Sequence, residues 1–390
     1  MSKTIAFSKL QEISSKHNLS IVGFTDLTPL SHAARQLQSW QESGFAGEMN
    51  FMKRSPELLS DPAKLLPEGK SVLLFAVNYS YQAKRPLNQG HGRVARYALG
   101  RDYHKVLKKH LLSLTKELES HIGRKIIYRI FSDAVPLLER AMAERAQLGF
   151  IGKNTLLIRP GTGSMFFIAE IIWDIAIEED LKIEVSKGSC GTCTRCQSAC
   201  PTSAFAEPYK LNATRCISYL SIEKEGLLDT WERSLLGEWL LGCDICQEVC
   251  PFNHSSMKSD KDADLVDLRA RSKNNDQIEI RSLFKIDDNK EFLAKYSGTA
   301  FMRPGREGLI RNACYVAANT KCFHLIPEIK NLAKADNSSV IRASAIWSLS
   351  KLVKESGSTE VNIFKKLLQT MKQDPNITVR TEAVDALNQI

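Results

Sequence analysis

Cys190, Cys193, Cys196 and Cys200, followed by Pro201, read C-x2-C-x2-C-x3-C-P. Thiolates at that spacing cap a cubane iron–sulfur cluster. Three lie on one tight loop, and the fourth is thrown across to a neighbouring cluster. A second run, Cys243, Cys246, Cys250 and Pro251, has the same ending, but Leu240 stands where its first Cys would be. Cys216, on the intervening segment, is the natural replacement. The spacing therefore assigns Cys190, Cys193, Cys196 and Cys250 to one [4Fe–4S] cluster. Cys200, Cys216, Cys243 and Cys246 go to the other. Two adjacent clusters make an electron relay, so the expected chemistry is redox. Zinc knuckles of the C-x2-C type would leave a third Cys without a role. Disulfides need an oxidising compartment, and Met1 to Phe7 opens no apolar stretch of signal-peptide length. No run approaches the ~20 apolar residues of a membrane span, so a cytoplasmic protein is expected. Cys314 and Cys322 lie outside both runs and are expected to be buried, inert thiols.

Clusters carry single electrons, so another group must make and break bonds. The stretch Gly149 to Asn154 resembles a phosphate loop only superficially. Gln147 occupies the first glycine position and Asn154 replaces the hydroxyl residue. No G-x-G-x-x-G opens a helix after a strand, which removes the dinucleotide fingerprint. Asp133 lies between an apolar strand and a helix. It could cap that helix, although Pro136, as the third helical residue, would offer no N–H. Withdrawn from water at the end of a strand, it could instead serve as a general acid. The stretch Arg93 to His104 is dense in polar and aromatic groups. Gly100 could supply a turn there and Asp102 could cap the following helix. The same density would suit the rim of a large polar cofactor.

The elements that must carry these residues follow from periodicity. Phe7, Leu10 and Ile13 recur at helical spacing before Asn18, and Leu107, Leu111, Leu114 and Leu118 form one face of a helix. Apolar runs at 71–79, 125–131 and 165–177 read as strands, and 136–148 reads as a helix. An α+β fold is expected, with a first domain over 1–180, a cluster module over 181–256, a linker over 257–285 and a helical domain over 286–390. In the last, helices opening at Arg311, Arg342 and Arg380 resemble one another at offsets of about 31 and 38 residues. That spacing suits HEAT-like pairs stacked into a short solenoid. The recurring Arg could pair with a neighbouring carboxylate or line a phosphate-binding stripe. The net charge of +9 suits a polyanionic partner, either nucleic acid or an acidic redox donor.

Taken together, these motifs make the chain resemble the epoxyqueuosine reductases, cobalamin-dependent iron–sulfur enzymes of tRNA modification. The resemblance runs end to end. It is carried by Tyr97 to His104, by Ser132, Asp133, Pro136, Glu139 and Arg140, by Gly149 to Thr155, by the double cysteine run, and by Leu211 to Tyr219. It implies an N-terminal α/β cobalamin-binding domain, a central ferredoxin-like module with two [4Fe–4S] clusters, and C-terminal HEAT-like repeats. It implies Asp133 as proton donor, with Arg54, Tyr97, Asn154, Thr155 and Ser218 lining the cofactor. No imidazole is expected below the cobalt, since the chain has no D-x-H-x-x-G. A flavodoxin- or ferredoxin-type donor would feed the clusters, and a monomer is expected. The tRNA anticodon arm would be gripped through Arg303, Arg306, Arg311 and Arg342, and its modified base splayed into the pocket. The rival reading is a reductive dehalogenase-like cobalamin enzyme acting on a small molecule.

Overall fold

The computed structural model describes residues 4–19, 21–79, 86–133, 137–181, 188–258, 263–270, 276–356 and 361–389. The fold is mixed α/β, in two compact units each assembled from separate stretches of chain. The first takes Met1–Ala83, Leu99–Thr214 and Asp244–Arg271, and the second takes Lys84–Ala98, Arg215–Cys243 and Ser272–Ile390.

The first unit is built on an antiparallel four-stranded sheet. Its order is Val22–Thr25, Ser71–Asn78, Phe166–Trp173, Tyr128–Phe131. The two central strands are buried on both faces, which is why they read as continuous apolar runs. Register pairs Leu74 with Glu170 and Glu170 with Phe131. Paired residues share a face, so Glu170 lies among Val72, Leu74, Ala76, Phe131, Ile168 and Ile172. That face packs on Met142, Ala143 and Ala146, in and just after the helix Glu139–Arg145.

Helix Phe7–Lys16 forms on the expected spacing. Helix Tyr103–Ile122 buries Leu107, Leu111, Leu114 and Leu118, and Asp102 caps it by accepting the His104 N–H at 3.1 Å. Gly100 has a different reason from the one expected. Its backbone is not left-handed, but an added Cβ would lie 2.6 Å from the Leu268 carbonyl oxygen. The helix expected over 136–148 spans only Glu139–Arg145. Residues 134–136 lie outside the described residues, and Gln147, at φ 63°, turns the chain before Gly149.

In the second unit His91–Val94 pairs parallel with Trp239–Leu241 and antiparallel with Gln277–Glu279. The latter strand and the helix Ile280–Phe284 fall within the stretch expected to be linker. Among the helices Gly305–Asn319, Ile326–Ala335, Ser339–Ser356, Val361–Met371 and Ile377–Gln389, the central Ser339–Ser356 packs on each of the other four. Arg306 donates to the two carboxylate oxygens of Asp336 at 3.2 and 2.5 Å and to the Ile286 carbonyl at 2.9 Å. Arg342 repeats the pattern on Asp374 at 2.8 and 2.9 Å. Arg380 continues it through the carbonyls of Asp374 and Pro375. Arg311, 1% exposed, donates to the carbonyls of Leu220, Lys224 and Gly226.

This geometry corrects the phosphate stripe at Arg306, Arg311 and Arg342. Their forks are spent inside the protein, so they act as struts between helices. Arg303 differs: it is exposed and its guanidinium meets Glu223 at 2.7 and 3.1 Å.

Candidate active site and metal centre

Cys190, Cys193, Cys196 and Cys250 line one cavity, together with Asn154, Ile158, Arg195, Pro251 and Phe252. Two cysteine runs distant in sequence thus meet as the ferredoxin spacing requires. The short helices Arg195–Ala199 and Ile245–Glu248, one after each run's opening cysteines, pack together to bring this about. Burial pushes the Cys196 and Cys250 thiols up, and the neighbouring thiols add to the effect. A cationic iron core offsets that mutual repulsion. Among the described residues no three His, Cys, Asp or Glu groups converge as a single ion requires. A cubane needs its thiolates on separate corners, which a lined cavity supplies.

The donors around the cavity suit sulfur. Lys153 N–H donates to Cys190 Sγ at 3.3 Å, and Ala204 N–H to Cys200 Sγ at 3.4 Å. Such bonds stabilise the reduced, more negative cluster. Lys153 Nζ holds the carbonyls of Gly191 and Cys193 at 2.7 and 3.0 Å. Asn154 Nδ2 is buried without a hydrogen-bond partner among the described residues, a donor left over at the wall of the same cavity. Cys200 and Cys246 belong to the first unit, and Cys216 and Cys243 to the second. Gly242, at φ 68°, lets the chain pass Ala95 before Cys243, since a Cβ there would lie 2.6 Å from the Ala95 Cβ. Cys314 and Cys322 are buried as expected, and burial drives the Cys314 thiol far up.

Asp133 ends the Tyr128–Phe131 strand in a left-handed conformation, φ 52°. Non-glycine residues held there store strain and cluster at functional sites. It does not cap the following helix, which starts at Glu139 with Leu138 as its N-cap. Instead its N–H donates to Glu139 Oε1 at 2.5 Å, and its Oδ2 accepts the Tyr103 hydroxyl at 2.7 Å. Tyr103 is clamped between Phe167, ring centroids 4.3 Å apart, and His104 at 4.0 Å. Burial, then the charge of Asp133, pushes the Glu139 carboxyl up to about 8. Burial also lowers the Arg140 guanidinium, although its side chain meets solvent.

One loop ties this acid to the thiols. Arg140 donates to the carbonyl of Thr155, itself left-handed at φ 64°. Two residues earlier Lys153 reaches Cys190. Arg54 is exposed after the turn Asn50–Lys53, Tyr97 is half-buried, and Ser218 lies on the helix Ile217–Ile222. Tyr97 and Ser218 belong to the second unit and the other expected cofactor contacts to the first. The residues that sequence reasoning left without roles are Tyr103, Glu139, Arg140, Lys153 and Glu170. The first four lie in the motifs that carry the family resemblance, and Glu170 shows as a lone carboxylate in an apolar strand.

Comparison with known proteins agrees with this arrangement. A family described as 4Fe-4S double cluster binding domain matches residues 189–253. A second, Epoxyqueuosine reductase QueG, DUF1730, matches residues 60–134. The epoxyqueuosine reductase of Xanthomonas campestris is 34% identical over 353 residues, covering 89% of this chain and 96% of the relative. That of Escherichia coli K12 is 38% identical over 302 residues, 76% of this chain and 77% of the relative. A crystal structure of epoxyqueuosine reductase with a modified tyrosine tRNA stem loop superposes with TM-score 0.86 at 29% identity, covering 98% of both chains. A Bacillus subtilis epoxyqueuosine reductase, with its catalytic aspartate loop swung out of the active site, gives 0.84 at 28% identity over the same share of each chain. A double-cluster module in this mixed α/β fold, shared with reductases, defines an iron–sulfur oxidoreductase. Within that class, the chain belongs to the epoxyqueuosine reductase family.

Proposed function

We propose that this chain reduces epoxyqueuosine to queuosine at the wobble position of tRNA, with Asp133 as the proton donor. The observation that carries the reading is Asp133 itself, strained, held by Tyr103 and Glu139, and tied to the thiol cavity through Arg140, Thr155 and Lys153. A relative solved with an epoxyqueuosine-modified stem loop supports the substrate. The catalytic aspartate loop of the Bacillus subtilis relative, swung out of its active site, supports the acid.

The cluster ligands are Cys190, Cys193, Cys196 and Cys250 for one [4Fe–4S] cluster and Cys200, Cys216, Cys243 and Cys246 for the other. Cobalamin suits the desolvated yet solvent-reached wall around Asp133 and Arg140. Arg54, Tyr97, Asp133, Asn154, Thr155 and Ser218 would hold it. Cobalamin held there would supply the reducing power for opening the epoxide. Asp133 protonates the oxygen, because an alkoxide leaves poorly. Tyr103 fixes one carboxyl oxygen and Glu139 the backbone N–H, so the acid is aimed before substrate arrives. Arg140 secures the loop that meets the thiols.

The helical tail is read as HEAT-like repeats that present a face to the anticodon arm, with Arg303 contributing a phosphate contact. The electron donor is of flavodoxin or ferredoxin type, and the protein acts as a cytoplasmic monomer. Among the described residues no helix is long and apolar enough to cross a membrane. The test is mass spectrometry of tRNA nucleosides after anaerobic incubation with cobalamin, reductant and epoxyqueuosine-bearing tRNA. Queuosine should accumulate with the wild type and fall by ~10²-fold or more with Asp133→Asn. Near-wild-type turnover in that variant removes Asp133 from the chemistry.

A further inference from the structure

Epoxide deoxygenation breaks two C–O bonds, forms a C=C bond and releases water. It consumes two electrons, which the external donor supplies, and two protons. Asp133, as the acid proposed above, would deliver one of them. A second proton delivered without bulk water needs an internal source.

Glu170 stands at the right place and has no structural reason to be there. It is 0% exposed in the central strand Phe166–Trp173, and among the described residues neither carboxyl oxygen has a hydrogen-bond partner. Its neighbours on that face are Leu74 and Phe131 across the strands and Ile168 and Ile172 along its own. A leucine would complete the face, whereas an unpaired buried carboxyl destabilises it. The strand that carries Phe131, its partner, ends two residues before Asp133. The charged groups facing it are Glu139, at the start of the helix packed on that face, and Asp133, with Arg140 acting in turn on Glu139.

We propose that Glu170 is a proton reservoir for Asp133, with Glu139 as the intermediary. In the open enzyme Glu139, which is only partly buried, exchanges with water and loads Glu170. When RNA seals the cleft, the Asp133 carboxyl gives its proton to the epoxide oxygen. Glu139 then reprotonates Asp133, Glu170 reprotonates Glu139, and the second proton leaves with the oxygen as water. One proton moves at each transfer, and Glu170 ends as the carboxylate until the product departs. The order follows the placement of the three groups, since Glu139 Oε1 accepts the Asp133 N–H and Glu170 pairs in register with Phe131, two residues before Asp133. Burial, reinforced by Glu139 and Asp133, holds Glu170 protonated well above the ordinary carboxyl range, the state that a reservoir needs.

This inference rests on Asp133 as the acid, and the experiment separates the two. Glu170→Gln, Glu170→Leu, Glu139→Gln and Asp133→Asn are prepared as full-length, cluster-loaded proteins. Infrared spectra near neutral pH should contain two protonated-carboxyl bands, one absent from Glu139→Gln and the other absent from both Glu170 variants, with or without cobalamin. Glu170→Leu should melt at a higher temperature than the wild type, because an unpaired carboxyl is gone. Turnover of both Glu170 variants and of Glu139→Gln should fall about tenfold or more, with KM for the stem loop unchanged and a loss that deepens as pH rises. If Glu170→Gln and Glu139→Gln keep the wild-type rate and pH profile while Asp133→Asn is inactive, the reservoir is overturned and Asp133 stands. If Asp133→Asn turns over normally, the acid assignment fails and the reservoir falls with it. Loss of an infrared band in Glu139→Gln but in neither Glu170 variant would overturn the assignment to Glu170.

Discussion

Arg306→Ala tests whether the tail's recurrent arginines hold helices or RNA. The Asp336 side chain is 2% exposed and the Arg306 side chain 7%. Removing the guanidinium strands a buried carboxylate whose remaining donor, among the described residues, is the Ser338 N–H at 2.8 Å. Breaking a buried pair from one side destabilises by about 3–5 kcal/mol. With a urea slope of about 3 kcal/mol per molar, the midpoint should fall by about 1 M or somewhat more. Asp336→Asn should lose a similar amount, and the double variant Arg306→Met with Asp336→Leu should recover most of it, because two buried charges leave together. The companion assay is stem-loop binding across a salt series below the unfolding transition. Arg306→Ala should keep the wild-type salt slope, whereas Arg303→Glu should reduce it by about one phosphate contact. A wild-type urea midpoint together with a lost phosphate contact in Arg306→Ala would refute the strut and return Arg306 to the RNA face.

Two further outcomes follow from the site. Glu139 titrates near 4.3 in an unfolded chain and is pushed up to about 8 in the fold. Between those values the folded chain keeps a proton that the unfolded chain has released. Its contribution is therefore full below about pH 4.3 and is lost as pH rises to about 8, by up to ~1.4 kcal/mol per unit. Urea midpoints taken over that window should slope less in Glu139→Gln, and equal slopes would refute the linkage. Lys153→Met removes a cation that holds the Gly191 and Cys193 carbonyls. An EPR-monitored titration should find the adjacent cluster on the order of 20–60 mV harder to reduce, and an unchanged potential would dismiss the electrostatic role of Lys153.

The cysteine spacing, the buried strands and the capped Tyr103–Ile122 helix were legible in the sequence because each is set by neighbours a few residues away. Thiolate spacing is imposed by the cubane, and apolar runs by burial on both faces. Asp133 was legible only as a choice between a cap and an acid. The backbone decided against the cap by starting the helix at Glu139 and turning Asp133 left-handed. The functions of the arginines and of Glu170 depended on tertiary structure. A charged residue reads the same in sequence whether it faces water or a carboxylate thirty residues away. Only the stacking of helix on helix brought Asp336 to Arg306 and Asp374 to Arg342. Only the register of the sheet set Glu170 between Leu74 and Phe131, behind the acid. Local rules determine which elements form and where metal thiolates lie. Long-range packing determines which charges are desolvated, and desolvation is what gives a carboxyl its chemistry.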